Sequence, residues 1–247
     1  MFEFQSQLIF PTHAVPPPGP LPPNAERLSL LTADGKELAG IHIAPEKRPK
    51  ERTLILGFGG NAWNGQDVAE YLHELFPDEE VVVFHYRGYR PSQGSPSAEA
   101  LIADAPRIYD FAVERLKPRC VIAIGFSIGS GVAAELAAAR RLDGLILVTP
   151  FDSLKAIAQS MFPWIPIGPF FEHEIDAASA LDQVNTPVAI IAAGRDEIVP
   201  AARTEALRPH AHALVLDRTI DTAGHNDIYA RSDFHEAMRE GFDRLKL

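Results

Sequence analysis

The sequence is poor in several residues that would signal particular classes of protein. It has one cysteine in 247 residues, Cys120, which excludes an internal disulfide. Cys120 opens an apolar run, and burial as an inert thiol is the expected fate of such a residue. No apolar run approaches the roughly 20 residues that span a bilayer, so no integral membrane segment is expected. The first residues, MFEFQSQLIFPTHAV, lack a basic n-region and carry Glu3 early, unlike a secretory signal. Basic runs and stacked aromatic platforms are also missing. The net charge is −10, which repels nucleic-acid backbones and anionic membrane surfaces on average. These absences point to a cytoplasmic protein with no nucleic-acid partner.

What is present suits one large folded unit. The chain is 46% hydrophobic and 23% charged, ordinary values for a globular protein. A domain of this length buries enough surface to need no covalent staples. We expect a single domain over 1–247. Its proline-rich stretch at 15–23, VPPPGPLPP, favours polyproline II and serves as a stiff connector.

Apolar and polar residues alternate on both sides of Asp34-Gly35, a hairpin signal. Beyond it, short apolar runs alternate with stretches of helical periodicity. The expected strands are Thr53–Gly57, Glu80–His85, Cys120–Gly125, Gly144–Thr149, Val188–Ala193 and Ala213–Leu216. The expected helices are Asp67–Phe76, Ala98–Leu116, Ile128–Ala139, Ala201–Arg208 and Ser232–Leu247. This predicts an α/β fold: a mostly parallel sheet, helices on both faces, and the antiparallel hairpin at one edge. Residues 151–175 break the alternation. They hold Met161, Phe162, Trp164, Phe170 and Phe171 among three prolines, which suits a short lid or pocket wall better than a regular helix.

The segment IAIGFSIGSG places Gly-x-Ser-x-Gly between an apolar strand and an alanine-rich helix. The five-residue pattern alone is weak, but the strand–turn–helix setting is the one that lifts a serine clear of a sharp turn. Ser127 is the candidate nucleophile, and Gly125 and Gly129 leave room for the turn. Ser130, one turn into the helix, should point elsewhere. A serine hydroxyl needs a base, and the base needs a carboxylate to orient it. Asp196 follows one strand, with Glu197 as its competitor, and His225 lies in a loop before the last helix. Serine, acid and histidine thus occur in that order at three strand ends. The amide of Ile128 and one from the glycine-rich loop after the first parallel strand, Asn61 or Gly60, are the candidate oxyanion donors. That loop lacks the Gly-Lys-Ser/Thr ending of a phosphate cradle.

These stretches, GFSIGSG, GRDEIVP and AGHNDI, resemble the nucleophile, acid and histidine motifs of the alpha/beta-hydrolase superfamily. LIFPTHAVPPP, LLTADGKELAGIHIAP, HYRGYRPSQGSPS and PFDSLKAIAQSMFPWIP further resemble a short-lidded serine hydrolase subgroup that includes depalmitoylating thioesterases. Where that subgroup has His-Gly-Asn, this chain has Gly59-Gly60-Asn61. Where the subgroup has Asp before Tyr-Arg-Gly, it has His85, expected to be structural, with Arg87 and Ser92 bracing the loop over the site.

The resemblance implies cleavage of a carboxylic ester or thioester of a small-molecule acyl substrate through an acyl-enzyme. Ser127, Asp196 and His225 would carry the reaction, with no metal or cofactor. Activity would rise as His225 loses its proton. Phe58, Trp63, Phe126, Met161, Phe162, Trp164, Phe170 and Phe171 are the expected pocket walls. A non-catalytic scaffold on the same fold, or a peptidase or acyltransferase using the same residues, remains an alternative from the sequence.

Overall fold

The computed structural model describes residues 9–47, 52–161, 171 and 173–246. Among these residues eight strands form one sheet: β1 (Ala25–Leu31), β2 (Glu37–Ile43), β3 (Thr53–Phe58), β4 (Glu80–Phe84), β5 (Cys120–Phe126), β6 (Gly144–Val148), β7 (Val188–Ala193) and β8 (Leu214–Ile220). Their spatial order is β1-β2-β4-β3-β5-β6-β7-β8. The hairpin β1–β2 is antiparallel and joins β4 antiparallel, and every later pairing is parallel. Its turn is closed by Thr32 Oγ1, which donates to Asp34 Oδ1 at 2.6 Å, and by Gly35 at φ 77°.

Among the described residues seven α-helices accompany the sheet: α1 (Gly65–Leu75), α2 (Ala98–Leu116), α3 (Ile128–Ala139), α4 (Leu154–Met161), α5 (Ala177–Asp182), α6 (Ala201–Leu207) and α7 (Ser232–Leu245). Side chains start four of them. Asn64 accepts from Asp67 N–H, Ser97 from Ala100 N–H, Ser153 from Ala156 N–H and Asp176 from Ser179 N–H, each satisfying an amide with no intrahelical partner. None of the helices among the described residues is long and apolar enough to cross a membrane.

The central strands β3 to β7 are buried on both faces, which explains their continuous apolar runs. The two-residue period splits them between two cores. Leu54, Leu56, Leu145, Leu147 and Ile190 pack under α2, α3 and α5, which contribute Ile108, Val132, Leu136 and Leu181. Ile55, Ile122, Ile124, Ile146 and Ile191 pack under α1 and α7, which contribute Leu72, Phe234, Met238 and Phe242.

The chain runs outward from β3 to β4 on one side, then returns to lay β5 on the other side of β3. Such a reversal leaves a crevice beyond the carboxyl ends of the two strands, because their following loops part in opposite directions. The glycine-rich loop after β3 and Ser127 after β5 both open there.

Candidate active site

Ser127 occupies the single residue between β5 and α3, with φ 51° and ψ −118°. A residue with a Cβ rarely takes that conformation, and the surroundings enforce it. Its N–H donates to Val148 O at 2.9 Å, and its carbonyl accepts from the N–H and hydroxyl of Ser130 at 2.9 and 2.6 Å. Ser130 is therefore engaged with main chain. A Cβ on Gly125 would overlap the carbonyl of Gly129, and one on Gly129 would overlap the carbonyl of Phe58. Helix α3 is thereby seated directly on the ends of β3 and β5.

Three elements distant in sequence converge on the serine. His225 Nε2 lies 3.0 Å from Ser127 Oγ, and His225 Nδ1 lies 2.8 and 3.0 Å from the two carboxylate oxygens of Asp196. The imidazole and carboxylate side chains are 6% and 4% exposed, so their ion pair is shielded from water once the ring is protonated. Asp196 Oδ1 also accepts from the N–H groups of Ile198 and Val199 at 2.9 and 2.6 Å, which fixes the carboxylate in the β7–α6 loop. Glu197, the competing acid, instead accepts the main-chain N–H of His225 at 3.1 Å through Oε2. It steadies the histidine loop and leaves the ring to Asp196. Gly224 N–H donates to Asp227 Oδ1 at 2.8 Å, closing the same loop.

Beside the serine is a cavity of about 630 Å³. Gly60, Asn61, Ser127, Ile128 and His225 stand at its polar end. Phe151, Leu154, Ile157, Ala158 and Phe171 supply apolar walls, and Ile198 and Val199 lie beside Asp196. No Asp, Glu, Lys or Arg lines it among the described residues. A Cβ on Gly60 would come 3.9 Å from Ser127 Cβ, so the loop passes close to the hydroxyl. Ile128 is the first residue of α3, where amide groups lack intrahelical acceptors and the helix dipole is positive.

Trp63 and Phe171 line the cavity, but Phe58 and Phe126 do not. Phe58 is 3% exposed in the core under α3, and Phe126 is fully buried. Phe126 packs behind Trp63 at 5.4 Å and Tyr229 at 5.8 Å between ring centres. Both phenylalanines lie within strands, and the strand alternation sends their rings into opposite cores. Phe162, Trp164 and Phe170 lie outside the described residues, as does the side chain of Met161.

Several lining residues were not singled out from the sequence. Tyr229 packs against Trp63 with ring centres 5.1 Å apart and planes tilted by 57°, and burial, aided by the nearby Asp196 charge, pushes its phenol up to about 12. It therefore stays neutral beside the acid. Its position four residues after His225 was the available signal. Ile9 also lines the cavity, and its neighbour Phe10, 2% exposed, meets His173 edge-on at 5.4 Å. The proline-rich stretch is held to α1 by Gln66, whose amide donates to the carbonyls of Gly19 and Pro20 at 3.2 and 3.0 Å.

His85 is 2% exposed, and its Nδ1 accepts Gly65 N–H at 3.1 Å. Ser92 Oγ donates to His85 O at 2.8 Å and accepts Ala39 N–H at 2.9 Å. Arg87 forks onto Asp104 at 3.0 and 2.6 Å and reaches Asp34 at 2.7 Å. Neither Arg87 nor Ser92 touches the 59–61 loop directly in these bonds.

Comparison with known proteins agrees with this architecture. The sequence model of the family described as alpha/beta hydrolase fold matches residues 54–173. An uncharacterised protein of Mycobacterium tuberculosis is 30% identical over 234 residues, covering 90% of this chain and 81% of that one. The lysophosphatidylserine lipase ABHD12 of Danio rerio is 32% identical over 170 residues, covering 60% of this chain and 44% of that one. Among solved structures, the Pyrococcus furiosus esterase Pf2001 superposes with a TM-score of 0.72 at 19% identity, covering 94% of this chain and 98% of the esterase. The chain belongs to the alpha/beta-hydrolase superfamily.

Proposed function

We propose that the protein is a serine hydrolase that cleaves carboxylic esters or thioesters of apolar acyl groups through an acyl-enzyme. The observation that carries this reading is the unbroken chain from Ser127 Oγ through His225 to Asp196, ending at an apolar cavity. The names of the esterase and lipase relatives agree with it.

In the proposed reaction, neutral His225 Nε2 removes the Ser127 proton as Oγ attacks the acyl carbon. Asp196 stabilises the imidazolium and holds Nδ1–H toward itself. The amide of Ile128 and one from Gly60 or Asn61 stabilise the oxyanion of the tetrahedral intermediate. The imidazolium then protonates the leaving alcohol or thiol. Water, deprotonated by the same ring, attacks the acyl-enzyme and releases the acid. The acyl chain lies along Phe151, Leu154 and Ile157, where its burial yields about 0.8 kcal/mol per methylene.

A chain-length series of acyl esters and matched thioesters, assayed on wild type and Ser127→Ala, tests the reading together with fluorophosphonate labelling. The expected result is hydrolysis and labelling in wild type and neither in the variant. Absence of both from wild type would return a non-catalytic scaffold to first place.

A further inference from the structure

We propose that Tyr86 and Tyr89 are positioning residues that hold the 59–61 loop in its oxyanion-binding orientation. The proposal rests on the reading of Ser127 as nucleophile. Two consecutive glycines, Gly59 and Gly60, precede Asn61. Glycine reaches left- and right-handed conformations at similar energy, so the peptide planes in such a loop can flip. One orientation offers an N–H to a developing oxyanion. The flipped one offers a carbonyl oxygen, which repels it. Some external contact must select between them.

The contact comes from the loop after β4. Strands β3 and β4 are parallel neighbours, with Gly57 beside Val83, so the loops that follow them run side by side. Tyr86 donates its hydroxyl to Gly59 O at 2.8 Å, and Tyr89 donates to Asn61 Oδ1 at 3.0 Å. Gly60 O accepts Trp63 N–H at 3.3 Å. In a trans peptide the carbonyl and the following N–H point in opposite directions. Fixing the Gly59 carbonyl therefore fixes Gly60 N–H, and fixing the Gly60 carbonyl fixes Asn61 N–H. The carbonyls of Gly59 and Gly60 and the side-chain oxygen of Asn61 are thus occupied by donors from their own surroundings, which keeps them from turning on the oxyanion.

The two tyrosines are themselves rigidly placed. Tyr89 is 1% exposed, and the rings meet edge-on at 5.9 Å. Tyr89 N–H donates to Tyr86 O and Ser92 N–H to Tyr89 O, both at 2.9 Å, so the phenols project from a closed turn. Between them, Arg87 anchors that turn to α2 through Asp104. Arg87 and Ser92 thus act on the loop at one remove, and the phenols make the contact.

The test uses Tyr86→Phe and Tyr89→Phe in the full chain, each losing only a hydroxyl, with the double variant and wild type. Four readouts are taken: kcat and KM on an acyl ester, inhibition by an alkyl boronic acid that forms a tetrahedral serine adduct, hydrogen exchange of the 57–64 peptide, and Tm. Tyr86→Phe should lower kcat by roughly 10–100-fold with KM changed by less than about 3-fold, because the lost orientation matters only once charge develops. Boronate affinity should fall by a similar factor, and loop exchange should quicken. A merely structural role would lower Tm and leave the kcat-to-KM split and the boronate affinity unmoved. Wild-type kcat, boronate affinity and loop exchange in both variants would overturn the proposal. If wild type neither turns over ester nor labels at Ser127, the enzyme reading fails. Loop exchange then decides the tether alone: faster in the variants supports it, unchanged overturns it.

Discussion

Gly129 lies against the carbonyl of Phe58 with no space for a side chain between them. The first turn of α3 is in direct backbone contact with the end of β3, and this contact sets the height of Ser127 above the sheet. A methyl group there meets main chain, which cannot rotate aside. Gly129→Ala should destabilise the fold by about 3 kcal/mol, the upper end for overpacking. Fluorophosphonate labelling of Ser127 should drop in the protein that remains folded. Urea unfolding and labelling of the same preparations check both.

The serine itself carries strain. A non-glycine residue at φ 51°, ψ −118° costs about 1–3 kcal/mol. Ser127→Gly should therefore abolish hydrolysis and raise stability by about 1 kcal/mol after the entropy of the added glycine is counted. Thermal unfolding of Ser127→Gly beside Ser127→Ala checks this, since alanine keeps the strain and should gain nothing comparable.

Adjacent acids are expected to behave differently. Asp196→Asn places an amide beside His225 Nδ1 and favours the wrong ring tautomer, so kcat should fall by about 10⁴-fold. Glu197→Gln keeps an oxygen for His225 N–H and should cost less than about 10-fold. Steady-state kinetics on one ester separates the two.

Stability should fall in mild acid because of His85. Burial, with a smaller contribution from Arg27, lowers its pKa from 6.5 to about 4. The unfolded chain takes up this proton first, so the fold loses stability as pH drops below 6.5 and the loss levels off near 4. Its size is about 3 kcal/mol. His85→Asn retains an acceptor for Gly65 N–H and should flatten that part of the profile. His42 has the opposite sign. Burial opposes its charge, but its bonds to Glu80 and Glu26 outweigh this and raise its pKa. Its contribution is complete below 6.5 and fades as pH rises through the folded value. Urea unfolding across pH 4 to 8 resolves the two slopes.

The sequence carried much of this because local signals and tertiary needs coincide. Helices Ala98–Leu116 and Ile128–Ala139 have the bounds expected of them, set by Ser97 and Lys117 for the first and the Ser127 turn for the second. The order of Ser127, Asp196 and His225 along the chain was legible too, since each follows a recognisable apolar strand. Asp196 was the expected acid with Glu197 as its competitor; the apolar pattern does not show which carboxylate the loop turns inward, and Asp196 Oδ2 lies 2.8 Å from His225 Nδ1. Strand β8 runs on to Ile220 through Asp217, Arg218 and Thr219. These are exposed on an edge, where polar residues are tolerated and the apolar signal stops. Helices Leu154–Met161 and Ala177–Asp182 are short, and the prolines between them masked their periodicity. Phe58 and Phe126 look like pocket aromatics beside the motifs, yet only packing decides which core receives a ring.

Ile9 in the cavity wall has a practical corollary for recombinant work. Removing the chain up to and including Ile9 would take this side chain out of the wall that it shares with Leu154 and Phe171. Ligand selectivity compared between proteins trimmed at different amino-terminal positions would then report on the trimming, so such comparisons belong with one shared amino terminus.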